Sequence, residues 1–238
     1  MTMTDAELAV HLATEAGRIL LALRDAGTLD GNDLGNAGDV QANAYLMQAI
    51  RDARPDDGLL SEESACDGSR LSKSRVWIID PVDGTREYGE GRTDWAVHVA
   101  LAIDGVATVG AVALPGLDLV FRSDQPASLP PAAAKPRMVV SRTRPAAEAL
   151  KVAESINADL IPMGSAGAKA MAVVRGEADI YLHTGGQYEW DSCAPVAVAA
   201  AHGLHCSRVD GSPLVYNRAD SYMADLLICR PEWAERVL

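Results

Sequence analysis

Apolar residues recur at helical spacing over the first fifty residues of the chain. Residues 5–25 carry apolar side chains three and four positions apart, namely Leu8, Leu12, Ala16, Ile19, Leu20 and Leu23. Residues 39–53 repeat this spacing, with Val40, Ala44, Met47 and Ile50 on one face. One apolar stripe per segment is typical of a helix that packs on a core. The chain is therefore predicted to open with two helices.

Short apolar runs follow these helices and predict strands. Residues 58–61 and 75–80 are two such runs, and residues 119–122 add a weaker one. Residues 96–103 and 106–114 flank Asp104-Gly105. An Asp-Gly pair between two apolar runs is a strong signal for a two-residue hairpin. The pattern up to residue 122 thus predicts an α+β arrangement.

The second half of the chain alternates strand and helix patterns. Strands are predicted at residues 137–141, 159–162, 178–182, 204–209 and 225–229, and helices at residues 145–156, 166–175 and 192–201. Such alternation implies a sheet covered on both faces. The Pro- and Ala-rich stretch 123–136 precedes it. We therefore place a subdomain boundary there, with an N-terminal α+β part at 1–134 and a C-terminal α/β part at 135–238.

Composition narrows the class of protein. The chain has 238 residues, of which 48% are hydrophobic and 23% charged, with a net charge of −12. That charge disfavours a nucleic acid polymer or an anionic membrane as partner. The longest apolar stretch, residues 95–103, is too short to span a bilayer, and the N-terminus lacks the features of a signal peptide. Four cysteines without CxxC spacing favour reduced thiols and a cytoplasmic location.

The segment Asp80-Pro81-Val82-Asp83-Gly84-Thr85 carries the most specific chemistry. Its two carboxylates are hard-cation ligands, and Gly84 lets the backbone approach a phosphate closely. A helix beginning after Thr85 would add N–H groups for phosphate oxygens. The segment therefore predicts a metal-dependent phosphate site. The structural alternative is an Asp-Pro turn followed by an Asp helix cap.

Three further acidic positions are open to two interpretations each. Glu62 and Glu63 follow a predicted strand, where paired carboxylates are usually a solvated strand end, but one of them can instead bind metal and orient water. Asp191, in Trp190-Asp191-Ser192, can be a plain N-cap of the helix that follows. Asp39 can likewise cap the second predicted helix.

Taken together, these residues resemble the inositol monophosphatase superfamily of magnesium-dependent, lithium-sensitive phosphatases. The resemblance covers nearly the whole chain and rests on Glu62-Glu63-Ser64, the segment 80–85, Gly164-Ser165-Ala166 and Trp190-Asp191, in that order. It implies a layered αβαβα sandwich with the site between two halves. It also allows a homodimer, which the sequence neither shows nor excludes.

The resemblance also implies a role for each site residue. Glu62, Asp80 and the Val82 carbonyl would hold one magnesium ion, and Asp80, Asp83 and Asp191 a second. Thr85 and Glu62 would orient the attacking water, and Asp39 would assist a third, weaker metal or its water. The backbone amides of Gly84 and Thr85 would bind the phosphate. Two such ions stabilise both the attacking and the leaving oxygen of an in-line displacement.

Within the superfamily, the sequence is most similar to nucleotide phosphatases of the CysQ type, especially their actinobacterial branch. Lys169 follows the Gly164-Ser165 turn and matches a lysine that would meet a second phosphate, although it can also be an exposed helix lysine. His183 stands where inositol phosphatases carry a Glu. Two departures concern the loop expected ahead of Asp39. Residues 30–35 lack the usual Lys, and Asn36 replaces a common Thr.

The expected function is removal of the 3'-phosphate from 3'-phosphoadenosine 5'-phosphate, giving AMP and recycling a by-product of sulfate assimilation. The nearest alternative is a broad phosphatase for inositol 1-phosphate or fructose 1,6-bisphosphate. A non-catalytic nucleotide sensor is the alternative from another class. A substrate panel separates the first two, and nucleotide binding without phosphate release would favour the third.

Overall fold

A computed structural model describes residues 3–65 and 68–238. Its seven α-helices are α1 Asp5–Asp25, α2 Gly31–Ala53, α3 Thr85–Gly89, α4 Ala147–Ser155, α5 Ala166–Val174, α6 Glu189–Ala201 and α7 Pro231–Val237. Its ten strands are β1 Gly58–Ser61, β2 Arg75–Asp83, β3 Ala96–Ile103, β4 Val106–Leu114, β5 Leu119–Arg122, β6 Arg137–Ser141, β7 Asp159–Met163, β8 Ile180–Tyr188, β9 His205–Ser207 and β10 Tyr222–Cys229.

The first sheet has the strand order β1-β2-β3-β4-β5. β1 and β2 are parallel, and the remaining pairs are antiparallel. The predicted hairpin between β3 and β4 is confirmed, because Asp104 and Gly105 both have the positive φ of a type I′ turn (49° and 81°). This sheet carries the end of β2, where the segment 80–85 begins.

The second sheet has the strand order β7-β6-β8-β10-β9. β6 runs parallel to both β7 and β8, whereas β10 is antiparallel to β8 and β9. The central strands are buried on both faces, as expected for a sheet between two helical layers.

Strand alternation distributes the apolar side chains over three cores. In β2, Trp77 and Ile79 pack with α1 and α2 on the outer face, while Val76 and Ile78 face α5 and α6. In β8, Tyr181 joins this central core and Ile180 packs with α4 and α7 on the far side. A side-chain period of two therefore produces five layers, an αβαβα sandwich, as the resemblance implied.

Several predicted element boundaries were wrong, mostly by being too short. The second helix begins at Gly31 rather than at residue 39, so the loop expected at residues 30–35 is helical from Gly31 onward. Strand 75–80 continues to Asp83, and the helix predicted from Ser192 begins at Glu189. The last strand begins at Tyr222, and α7 was not predicted. In β2 and α6, polar residues near the site lie inside regular structure, where a hydrophobic pattern does not predict helix or strand.

The stretch 123–136 connects the two sheets without helix or strand. The subdomain boundary drawn there stays a prediction, because the central core contains side chains from both halves. Within the described residues, the helices are too short or too polar to cross a membrane. Cys193, Cys206 and Cys229 are free thiols, and Cys66 lies outside the described residues.

Candidate active site

A β-bulge at the end of β2 turns two carboxylates to the same side. Asp80 pairs with His98 of β3, but Asp83 pairs with Ala96, so two residues of β2 oppose one residue of β3 between these pairs. In a regular strand, positions three apart point to opposite faces. The extra residue removes this alternation and re-aims the second side chain. The spacing of the two aspartates is therefore that of a bulged strand rather than of the predicted turn.

The carboxylates of Asp80 and Asp83 meet that of Asp191 in the first turn of α6. One oxygen from each of the three lies within 4.8 Å of the others. Asp80 and Asp83 are buried, and Asp191 is partly exposed. The helix extends two residues before Asp191, so the N-cap interpretation of this residue was wrong. Its carboxylate still accepts a hydrogen bond from the Tyr188 amide at 2.6 Å.

Asp83 caps a helix of the second half of the chain. Its two oxygens accept the amides of Ala166 (3.0 Å) and Gly167 (2.6 Å) and the hydroxyl of Ser165, all at the start of α5. Burial alone would raise the pKa of Asp83, but His98 and these donors outweigh it and lower the pKa to about 2. Asp83 is therefore ionised at neutral pH without a metal ion.

The buried ring of His98 faces this carboxylate. Its Nε2 lies 3.1 Å from Asp83, and its Nδ1 lies 2.9 Å from the carbonyl oxygen of Trp190. The Trp190 carbonyl only accepts hydrogen bonds, so Nδ1 carries a proton and donates to it, whereas Nε2 has no partner in hydrogen-bonding geometry among the described residues. Burial lowers the pKa of His98, yet Asp83 reverses this and raises it. His98 thus links β2 to the residue before Asp191.

For Asp80 and Asp191, hydrogen bonds and nearby positive charge do not outweigh the effect of burial on the pKa. Burial, followed by the charges of Glu62 and Asp83, raises the pKa of Asp80 well above its usual value. Burial and Asp83 raise the pKa of Asp191 to about 6. The Asp80 carboxylate accepts only the amide of Val82, at 3.0 Å, among its described hydrogen bonds. Asp80 and Asp191 would each be destabilised by ionising next to the other negative charges. A bound divalent cation would offset this repulsion and stabilise both carboxylates in their charged form.

Glu62 and Asp39 border the same acidic centre. Glu62 stands in the turn after β1, and burial together with Asp191 and Glu63 raises its pKa to about 7. Asp39 lies in the interior of α2, so it does not cap that helix. It is 8% exposed, its Oδ1 has no hydrogen-bond partner in the described structure, and burial raises its pKa to about 7. Asp39 therefore presents a buried oxygen without a partner, whereas Glu62 is exposed at the rim of the centre.

The residues after Asp83 form a tight corner. Gly84 has φ of 91° and precedes the single-turn helix α3, which begins at Thr85 itself rather than after it. The Thr85 hydroxyl donates to the Val82 carbonyl at 3.1 Å. A side chain at Gly84 would be strained and would crowd Ser165 and Trp95. The corner brings the Gly84 and Thr85 backbone to the mouth of the acidic centre.

A cleft of about 320 Å³ opens over the acidic centre. Its lining includes Glu62, Asp83, Gly84, Ser165, Lys169, Tyr181, His183, Tyr188 and Asp191. An adjoining cleft of about 240 Å³ shares Gly84, Ser165 and Lys169 and adds Arg142 and Arg144. The combined space is in the range of small-molecule sites. Anionic groups thus line one end and cations the other.

Lys169 lies where the two clefts meet. It is 6% exposed, so the interpretation as an exposed helix lysine was wrong. Its Nζ is 5.3 Å from the centre of the Tyr181 ring. Burial lowers the pKa of Lys169, and Asp83, Glu87 and Asp191 oppose this effect. A cation enclosed in this way suits an anionic ligand.

Gly164 and Ser165 are engaged by the protein itself. The Gly164 amide donates to Asp94 at 2.7 Å, and a side chain at Gly164 would overlap Glu87. The Ser165 hydroxyl donates to Asp83 and accepts the Ala168 amide at 2.9 Å. Both residues border the clefts, and these contacts hold the cation side against the acidic side.

Sequence reasoning gave no role to His98, to Arg142 or to Tyr188. His98 interrupts an otherwise apolar strand, and that interruption is a usable signal for a buried polar contact. Arg142 pairs with Glu87 (2.7 Å) and Glu90 (2.9 Å), partners more than fifty positions away in the chain. No local pattern reports such a pair.

The model of the inositol monophosphatase family matches residues 4–238. A protein of Mycobacterium leprae named 3'-phosphoadenosine 5'-phosphate phosphatase is 48% identical over 99% of this chain and 93% of its own length. The Escherichia coli O157:H7 3'(2'),5'-bisphosphate nucleotidase CysQ is 27% identical over 90% of this chain and 94% of its own.

A solved structure supports the fold independently. Crystalline CysQ from Bacteroides thetaiotaomicron, described as a bacterial member of the inositol monophosphatase family, superimposes with a TM-score of 0.83 at 24% identity. The match covers 95% of this chain and 97% of the other.

Proposed function

The chain belongs to the inositol monophosphatase family and is a phosphatase, and from this premise we propose that it removes the 3'-phosphate of 3'-phosphoadenosine 5'-phosphate with the help of magnesium. The observation that carries the proposal is the meeting of Asp80, Asp83 and Asp191 beneath a cleft whose other end is cationic. A phosphate ester with a second phosphate matches this division of charge.

The carboxylates fit a hard divalent cation. The donor set is all oxygen, as Mg²⁺ prefers, and the orphaned oxygen of Asp39 and the raised pKa values of Asp80, Asp191 and Glu62 all call for positive charge. We propose two ions, held by Glu62, Asp80, the Val82 carbonyl, Asp83 and Asp191, with Asp39 serving a third. When bound, such ions offset phosphate charge and acidify water.

The remaining residues would position the reaction. Glu62 would help to orient the attacking water, as the resemblance implies. Thr85 and Asp39 lie together on the same side, since the Thr85 hydroxyl lowers the pKa of Asp39 against the effect of burial. We assign them to orienting that water. The Gly84 and Thr85 amides would bind the phosphate that is attacked.

Lys169 would bind the second phosphate of the substrate. Lys169 is buried where the two clefts meet. Arg142 and Arg144 line the adjoining cleft of about 240 Å³. Gly164 and Ser165, assigned to substrate binding by the resemblance, would act by holding this edge in place. His183 also lines the cleft, and its Nε2 contacts the Gly186 carbonyl at 3.0 Å.

The biological setting follows from the reaction. We propose a cytoplasmic enzyme that recycles a by-product of sulfate assimilation and is inhibited by lithium, as the resemblance implies. Burial raises the pKa of the Cys193, Cys206 and Cys229 thiols, so they are poorly ionised and suited to a reducing compartment. A homodimer is compatible with the proposal and is checked by the mass in solution.

The test is phosphate release from a matched panel. The wild-type protein is assayed on 3'-phosphoadenosine 5'-phosphate, inositol 1-phosphate and fructose 1,6-bisphosphate, with magnesium, with EDTA and with added lithium. We expect at least about ten-fold higher kcat/KM on the nucleotide, which is about 1.4 kcal/mol of discrimination. Equal rates on the sugar phosphates would favour the broad phosphatase. Nucleotide binding without phosphate release would favour the sensor.

A further inference from the structure

Most aromatic side chains of the protein are buried or partly buried, and the exposed ones lie together. The chain contains four Trp, six Tyr and one Phe, all within the described residues. Only two of them are exposed, Tyr188 (45%) and Tyr222 (44%), and these two are neighbours. Single exposed apolar residues are normal on a protein surface, whereas a contiguous exposed cluster indicates a binding site.

The exposed rings form a layered platform with Trp190. The rings of Tyr188 and Trp190 are stacked, with centroids 4.8 Å apart and planes 9° from parallel. Tyr222 meets Tyr188 edge-on, at 6.0 Å and 81°. A side chain at Gly186 would overlap the Tyr222 ring, so the glycine is required for this arrangement. We call Tyr188, Trp190 and Tyr222 the aromatic platform.

The platform is fixed to the acidic centre by its own backbone. Tyr188 lines the same cleft as Glu62, Asp83 and Asp191. Its amide donates to the Asp191 carboxylate at 2.6 Å, and the carbonyl of Trp190 lies 2.9 Å from His98. The orientation of the platform and the position of the carboxylates are therefore set by the same hydrogen bonds at the start of α6.

We propose that the aromatic platform binds the nucleobase of the substrate by stacking on Tyr188. This inference rests on the proposed function and names the part of the site that would prefer a nucleotide to a sugar phosphate. Every base offers a planar π-face, and Trp190 beneath Tyr188 keeps the upper ring rigid. A sugar phosphate has no flat group to place there, so the platform contributes nothing to its binding.

The test uses two substrates that differ only in the base. One is 3'-phosphoadenosine 5'-phosphate, and the other is 1-O-methyl-ribose 3,5-bisphosphate, which keeps both phosphates. We expect Tyr188→Leu to lower kcat/KM on the nucleotide by about ten-fold or more, with little change on the ribose compound. Tyr188→Phe, which keeps the ring, should match the wild type on both. The affinity for AMP, measured by calorimetry, should fall in the Leu variant alone.

The possible outcomes distinguish failure of the proposed nucleotide preference from failure of the aromatic platform alone. Wild-type protein that treats both substrates equally would refute the nucleotide preference itself, and the platform proposal with it. Wild-type protein that prefers the nucleotide, while Tyr188→Leu keeps that preference or loses activity equally on both substrates, would refute the platform and leave the proposed function standing. Thermal unfolding of each variant identifies losses that come from misfolding, and Tyr222→Leu then gives a second test of the same loss of preference.

Discussion

Without divalent cations, this protein is expected to become less stable as the pH rises from about 5 to 7.5. The pKa values of Asp39 and Glu62 are raised to about 7 and that of Asp191 to about 6. Unfolded carboxyl groups ionise near pH 4. Between these limits the folded state binds more protons than the unfolded state, so the free energy of unfolding falls with increasing pH. The stabilisation is present at low pH and lost through the folded-state pKa values.

The size of the effect can be worked out for Asp39, which is buried at 8% exposure and lies in a helix. The difference between its ordinary pKa and about 7 corresponds to roughly 4 kcal/mol as an upper limit. Relaxation and water penetration reduce this to about 2 kcal/mol. For a chain of this length, 2 kcal/mol shifts the Tm by roughly 4–8 °C.

Thermal unfolding followed by circular dichroism, in EDTA at pH 5, 6, 7 and 8, measures the change. Asp39→Asn is the matched control, since the amide keeps the shape and cannot ionise, and its Tm should fall less over this range. Added magnesium should raise the Tm more at pH 8 than at pH 5, because ligands must lose protons to bind it. A metal-free Tm that stays constant or rises from pH 5 to 7.5, or an Asp39→Asn protein that follows the wild type, would refute the reasoning.

Three further changes test other parts of the site. Asp83→Asn removes the charge that caps α5 and should cost about 2 kcal/mol of stability and at least about 100-fold in kcat; a folded variant with near-normal turnover would contradict the assignment. Gly167→Ala places a methyl group against His98 and should destabilise by about 1–3 kcal/mol in thermal unfolding, whereas an unchanged Tm would show that His98 moves freely. Lys169→Met should raise KM for 3'-phosphoadenosine 5'-phosphate by about ten-fold or more, with a smaller effect on inositol 1-phosphate; equal effects on both would argue against a second-phosphate contact.

Much of the fold follows from local pattern. The two opening helices, the Asp104-Gly105 hairpin and the alternation in the second half were predicted from spacing alone, because packing on a core forces a period of 3.6 or 2 on the apolar residues. The order of strands did not follow, since pairing such as β6 between β7 and β8 depends on contacts far apart in the chain. The boundaries failed where polar residues continue a helix or strand, as at Gly31 and Asp83.

The site was predicted less evenly. The structure confirms that Asp80, Asp83 and Asp191 come together. The residue types of the segment 80–85 indicated a hard cation, whereas only the family resemblance added Asp191. The roles given to the individual ligands stay predictions. Three residues of the site were not predicted, because each acts through contacts with residues on other helices or strands; these are His98, Arg142 and Tyr188. Asp83 was predicted as a ligand, but its contacts with α5 could not be foreseen from the segment 80–85.

Those contacts explain how one short segment organises a site made by both sheets. Asp83 lies at the end of β2, in the first sheet, and holds the start of α5, which packs in the central layer against both sheets. Its low pKa means that this link exists whether or not a cation is bound, whereas Asp80 and Asp191 resist full charge until positive charge arrives. Asp83 therefore holds the two sides of the cleft together, and Asp80 and Asp191 are available to bind a cation. The link between β2 and α5 therefore forms without a metal ion, whereas the stability of the acidic centre at neutral pH depends on one.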